Sequence, residues 1–90
     1  MTAEELTELL AGRPSAVTWR LSNDPLDLIA YADHKGLKAF IRCYRGDVDW
    51  YYGVERQGEA LVFEQAHPAD DVHSALTMAE VALSVEASHG

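Results

Sequence analysis

The sequence has few of the residues that cross-link a chain or carry positive charge. Its 90 residues include one cysteine, Cys43, so an intramolecular disulfide is impossible. Seven Lys and Arg stand against 15 Asp and Glu, which gives a formal net charge of −8. Because such a field repels phosphate, we do not expect the chain to bind nucleic acid or anionic membranes directly.

Long apolar runs are also missing. No stretch approaches the roughly 20 apolar residues of a transmembrane helix, and the acidic N-terminal residues lack the basic start of a signal peptide. We therefore expect a cytoplasmic protein. The composition, 48% hydrophobic and 24% charged, is that of an ordinary globular protein. Ninety residues predict a single domain over 1–90, too small for a (β/α)₈ barrel or a dinucleotide-binding fold.

The sequence contains no motif typical of catalysis. It has no glycine-rich phosphate loop, no nucleophile elbow and no Cys-x-x-Cys pair. His67, Asp70, Asp71 and His73 lie close together, but their spacing matches no metal site, and the two aspartates suit the start of a helix. Cys43 falls among apolar residues of a predicted strand, which indicates packing. We therefore predict no enzyme activity, no cofactor and no bound metal.

Hydrophobic periodicity predicts an α+β fold in two layers, with a short helix, an antiparallel meander of four or five strands, and a long helix packed on one sheet face. Residues 26–33 fit either a helix or a strand. We favour the strand, because it runs straight into the next one through a type I turn followed by a left-handed Gly36. The first helix is predicted over 3–11, where Thr2 and Glu5 have the spacing of a capping box. Strands are predicted over 16–22, 37–45, 48–56 and 59–66, with a two-residue turn at Gln57-Gly58 before the last. The second helix is predicted over 70–88. It begins at Asp70 or Asp71 and its apolar stripe includes Val72, Leu76, Ala79 and Leu83.

Alternation along the strands predicts two different sheet faces. The first is apolar and includes Leu37, Ile41 and Val48, and the long helix would cover it with a stripe that extends to Val81. The second face is unusual, because it carries aromatic residues where solvated faces are polar. Either the N-terminal helix and the stems of Lys and Arg cover it, or it is an interface. Its members are Ile29, Tyr31, Lys38, Phe40, Arg42, Tyr44 and Tyr51.

Charge is distributed unevenly along the chain. All seven basic residues lie between Arg13 and Arg56, whereas the first 12 residues and the last 34 contain acids and no Lys or Arg. The two ends of the chain are therefore predicted to form an acidic surface. Such a surface would steer association with a basic partner.

Three segments resemble bacterial immunity proteins, which protect a cell from its own deaminase-type and related polymorphic toxins. They are the Leu-rich helix over residues 5–10, the hairpin segment over 30–41, and the capped helix start over 68–76. The resemblance implies a small inhibitor without catalytic residues.

The leading hypothesis is therefore an acidic inhibitor, most simply an immunity protein, that occludes a basic, nucleic-acid-acting partner protein. The alternatives are a phage-encoded anti-defence protein of the anti-CRISPR kind and a homo-oligomer paired through the aromatic face. The predicted contact residues are Tyr44, Asp47, Asp49, Tyr51, Glu55, Glu59, Glu64, Asp70 and Asp71.

Overall fold

A computed structural model describes residues 1–56, 61–64 and 67–89 of the chain. The element order confirms the predicted α+β fold, with a helix at each end and five strands between them. The elements are α1 (Ala3–Gly12), β1 (Arg20–Leu21), β2 (Leu28–His34), β3 (Leu37–Cys43), β4 (Tyr51–Arg56), β5 (Leu61–Glu64) and α2 (Val72–His89). The predicted turn at Gln57-Gly58 lies outside the described residues.

The strands form one antiparallel sheet in the order β1-β2-β3-β4-β5. β3 lies at its centre, with Ile41 opposite Ala30 on one side and Tyr52 on the other. Residues 26–33, which the sequence left open, are thus largely strand. The β2–β3 connection differs from the prediction, because it is a two-residue turn. Lys35 and Gly36 both have positive φ, at 51° and 78°, as a tight turn between twisted strands requires.

Both helices cover the same side of the sheet, here called the inner face. Leu6 of α1 and Leu76 and Leu83 of α2 are fully buried in one cluster with Ala39 and Ile41. α1 begins at Thr2, whose hydroxyl accepts from the Glu5 backbone N–H while the Glu5 carboxylate accepts from the Thr2 backbone N–H. This capping box, predicted from the spacing, satisfies two N–H groups that a helix start leaves unpaired.

Three predicted boundaries are wrong. The first strand covers Arg20–Leu21 and not 16–22, because the preceding residues bind α2 through their side chains. β3 ends at Cys43, and β4 begins at Tyr51, because the Asp47 carboxylate holds residues 47–49 in a loop. β5 covers Leu61–Glu64, with a register shift beside it between Val54 and Glu55, and the other residues of the predicted strand over 59–66 lie outside the described part of the chain.

Two side chains predicted to be buried are exposed. Val48 lies in the loop before β4, outside the strand alternation that would have turned it inward. Val81 lies on the solvent side of α2, opposite the buried stripe of Val72, Leu76 and Leu83. α2 itself starts after Asp71, whose carboxylate accepts from the Ser74 backbone N–H.

The opposite side of the sheet, the outer face, carries no helix in the described part of the chain, so α1 does not cover it. Its rings are covered by their own neighbours instead. Arg20 and Lys38 lie over the Tyr31 ring, at 4.9 and 5.0 Å from its centre. Phe40 lies across Gly53, where an added Cβ would meet the ring at 2.8 Å. Arg and Lys side chains thus cover part of the aromatic face, as the first of the two interpretations of that face expected.

A single carboxylate joins the N-terminal segment to α2. Glu80 accepts hydrogen bonds from Arg13 at 2.8 Å, Ser15 Oγ at 2.6 Å and Trp19 Nε1 at 2.8 Å. Burial opposes its ionisation, but these donors together outweigh burial and hold the pKa of Glu80 below its usual value. The ionised carboxylate therefore fixes residues 13–19 against the helix.

We expect Glu80→Gln to lower the free energy of unfolding by about 1–3 kcal/mol at pH 7, because charge-assisted hydrogen bonds become neutral ones. A lowered folded-state pKa stabilises the protein above the unfolded pKa near 4.5, and this contribution is lost as the pH falls through the folded value. Urea denaturation should thus show the difference between wild type and variant shrinking below about pH 4.5, with Glu86→Gln as the control. An unchanged difference at pH 7 and pH 3.5 would contradict this role.

Candidate protein-binding surface

Antiparallel pairing brings three separate loops to one end of the sheet. Leu28, the first residue of β2, pairs with Cys43, the last residue of β3. The chain before β2 therefore lies beside the β3–β4 loop, and the Arg45 backbone N–H donates to the Asp27 carboxylate at 3.0 Å. The third loop, before α2, joins them through a pair of hydrogen bonds between the backbones of Trp50 and Ala69.

Aspartate side chains shape these loops. Asp24 accepts from the backbone N–H groups of Leu26 and Asp27, both at 2.8 Å. Asp47 accepts from Val48 at 2.7 Å and from Asp49 at 3.1 Å. Such short-range bonds are typical of aspartate in turns, and the bonds described for Asp24 and Asp47 all use one oxygen of each carboxylate.

The Trp50–Ala69 bridge adds the helix start to this group, because it places Asp49 beside Asp70. Asp71 follows as the N-cap of α2. Backbone hydrogen bonds lower the pKa of Asp71, through Ser74, and that of Asp24, through Asp27 and Leu26. Both groups therefore stay ionised in mildly acidic solution. We call this set the acidic end: Asp24, Asp27, Asp47, Asp49, Asp70 and Asp71.

The charge of the acidic end is only partly balanced by cationic groups within the described residues. The ion pairs found there are Arg13–Glu80 and Arg20–Asp33, and neither involves a member of the acidic end. Arg45 lies in the same region, but only its backbone N–H bonds to an aspartate. Arg42 lies over the Tyr44 ring, 5.3 Å from its centre, and its charge also attracts the Asp24 carboxylate. The N-terminal ammonium of Met1 lies near Cys43 in the same region. The six carboxylates still outnumber these three cationic groups. The end therefore presents a surplus of negative charge to solvent.

Apolar side chains are exposed at the same place. A groove of about 510 Å³ opens between the loops, with Trp50, Cys43 and Leu28 among its lining residues. We call it the end groove. Its exposed apolar residues are Met1 at 56%, Leu26 at 63%, Tyr44 at 45% and Val48 at 79%.

Of the nine predicted contact residues, the structure brings six together. Tyr44 and Tyr51 meet edge to face with ring centres 5.4 Å apart, beside Asp47 and Asp49, with Asp70 and Asp71 following across the Trp50–Ala69 bridge. Glu55 does not belong to this group. In the register of β3 and β4 its backbone lies opposite that of Lys38, toward the other end of the sheet. Glu59 and the side chain of Glu64 lie outside what the structure describes.

The origin of the acidic surface corrects the sequence analysis. Four of its six aspartates come from loops in the middle of the chain, and the other two directly precede α2. Asp24 and Asp27 were missed. The preferred hairpin of residues 26–33 with 37–45 could have revealed them, because it places the residues before one strand beside those after the next.

No protein-family model, no curated protein and no solved structure matches this chain. In the residues that the structure describes, no helix is long and apolar enough to cross a membrane. Over the same residues, no group of three His, Cys, Asp or Glu side chains is arranged to hold a metal ion.

Cys43 provides a chemical test of the groove. Burial, and then the negative charge of Asp47, raise the pKa of its thiol above the ordinary value. We expect iodoacetamide to alkylate Cys43 several-fold more slowly than a free cysteine peptide at pH 8, with the rate still rising above pH 9. Asp47→Asn should speed the reaction, since Asn keeps the loop acceptor and removes the charge. A rate equal to that of the free peptide would show that Cys43 is not shielded.

Proposed function

We propose that this protein is a non-enzymatic inhibitor that binds a basic partner protein, as an immunity protein binds a nucleic-acid-acting toxin. The observation that carries the proposal is the acidic end, where six aspartates from three loops lie at the same end of the sheet as the exposed apolar side chains of the end groove. Proteins that hold nucleic acid need a basic surface, and an acidic protein can occupy that surface. Inhibition would then be stoichiometric occlusion.

The electrostatics suit fast recognition of such a partner. Unpaired charges of one sign at one end of a small molecule steer an oppositely charged protein during encounter. The adjacent apolar groove would supply contact area once the two proteins meet. Charge would thus set mainly the association rate, and apolar contact mainly the lifetime of the complex.

Self-pairing through the outer face is less well supported. Tyr31 is already covered by Arg20 and Lys38, and Phe40 lies over Gly53, so a second copy would bury little additional surface of these two rings. A catalytic role for Cys43 is also disfavoured, because a raised thiol pKa reduces the fraction of reactive thiolate.

The proposal is tested by affinity capture from the source cell with wild type and with Asp47→Asn plus Asp49→Asn. We expect a basic protein to be captured, and its association rate with the double variant to be about three- to tenfold lower at low salt. Raising the salt from 50 to 500 mM should bring the two rates together, because screening removes the difference.

Glu55→Gln plus Glu86→Gln is the matched control, because it removes the same charge from the opposite end of the sheet, where Glu55 lies across from Lys38 and the end of α2 lies beside His34 and Lys35. It should change the rate far less. An equal loss of association rate in both variants would show that the rate depends on the net charge of the protein and not on the position of the aspartates. Capture of an acidic partner, or binding insensitive to both salt and the aspartate changes, would contradict the proposed function.

A further inference from the structure

The exposed large apolar side chains of the described residues fall in two places. Met78, Val81 and Val85 lie on the solvent side of α2. The other four, Met1, Leu26, Tyr44 and Val48, all line the end groove. Val48 is the most exposed, at 79%. Side chains this open, gathered around a concave surface, are typical of a contact site.

The surroundings of the two places differ in charge. Asp47 lines the end groove itself, and the charges of Asp47, Asp27 and Asp49 all reach Cys43 in the groove, against the N-terminal ammonium of Met1. Asp27 contacts the backbone of Arg45, which also lines it, and Asp49 follows Val48 in the chain. The stripe on α2 is flanked by Ser74, Thr77, Ser84 and Ser88. Apolar surface and excess negative charge therefore coincide at the groove and not on the helix.

We propose that the end groove receives an apolar side chain from a cationic segment of the partner protein. This inference rests on the proposed function and specifies how the partner is recognised. An apolar side chain alone would gain from burial in the groove. Lys or Arg neighbours on the same segment would gain in addition from the aspartates, whereas Asp or Glu neighbours would be repelled. The groove would thus select a segment in which one apolar side chain, the anchor, has basic residues on either side.

The experiment uses the full chain and three short synthetic peptides. The first contains a central leucine flanked by lysine and serine, the second has serine in place of that leucine, and the third has glutamate in place of each lysine. Binding is followed by amide NMR shifts and by the alkylation rate of Cys43, which lines the groove. The leucine peptide should bind at least about tenfold more tightly than the serine peptide.

The expected footprint of the leucine peptide covers amides 26–28 and 43–50, and its binding should slow alkylation of Cys43. Leu26→Ser plus Val48→Ser should remove most of the advantage of leucine over serine. Both positions are exposed, so the variant should fold. Val81→Ser plus Val85→Ser is the matched control, because it removes exposed apolar surface from α2 and should leave binding unchanged.

The outcomes separate the two proposals. If both lysine peptides bind the acidic end equally tightly, the groove is not an anchor site, although recognition of a basic partner stands. The charge-based function fails as well under either of two results. One is that the peptide with leucine and glutamate binds as tightly as the peptide with leucine and lysine. The other is that no peptide shifts amides 43–50. An effect of the α2 variant equal to that of the groove variant would also overturn the groove assignment.

Discussion

The central position of β3 is the constraint on which the functional surface depends. Its antiparallel pairing with β2 and β4 decides which loops are neighbours, and the bridge between Trp50 and Ala69 then fixes the start of α2 beside them. Asp27, Asp47 and Asp70 are distant in sequence but reach one end of the sheet for this reason. A slip of one residue would also turn Ile41 and Ala39 out of the core, so burial of the inner face protects the register.

The structure separates stabilising charge from exposed charge. Glu80 accepts from three donors and joins the N-terminal segment to α2, more than two helical turns along α2 from Asp71. At the acidic end, Asp24 and Asp47 form turns and Asp71 caps a helix, and the carboxylates there outnumber the cationic groups near them. Like charges that gather without counter-ions oppose compaction. A cluster of this kind next to exposed Leu26 and Val48 is more easily understood as a binding surface than as a solution to folding.

Much of the fold could be predicted because it follows from local patterns. The Thr2–Glu5 spacing, the alternation from Leu37 to Cys43, and the stripe of Val72, Leu76 and Leu83 all led to correct elements. The errors arose where a side chain overrode the pattern, as when Asp47 held Val48 in a loop. The site was predictable in part. Tyr44, Asp47 and Asp49 are close in sequence, whereas Asp24 and Asp27 reach them only through the hairpin, and the groove requires all three loops together.

Hydrogen–deuterium exchange on the complex with the captured partner tests the central claim most directly. If the acidic end and its groove form the contact surface, binding should slow exchange at amides within 24–28, 43–50 and 69–71, and leave the solvent side of α2 and the middle of the outer face unchanged. Protection centred on Tyr31 and Phe40, or on Met78, Val81 and Val85, with free exchange at 43–50, would contradict it.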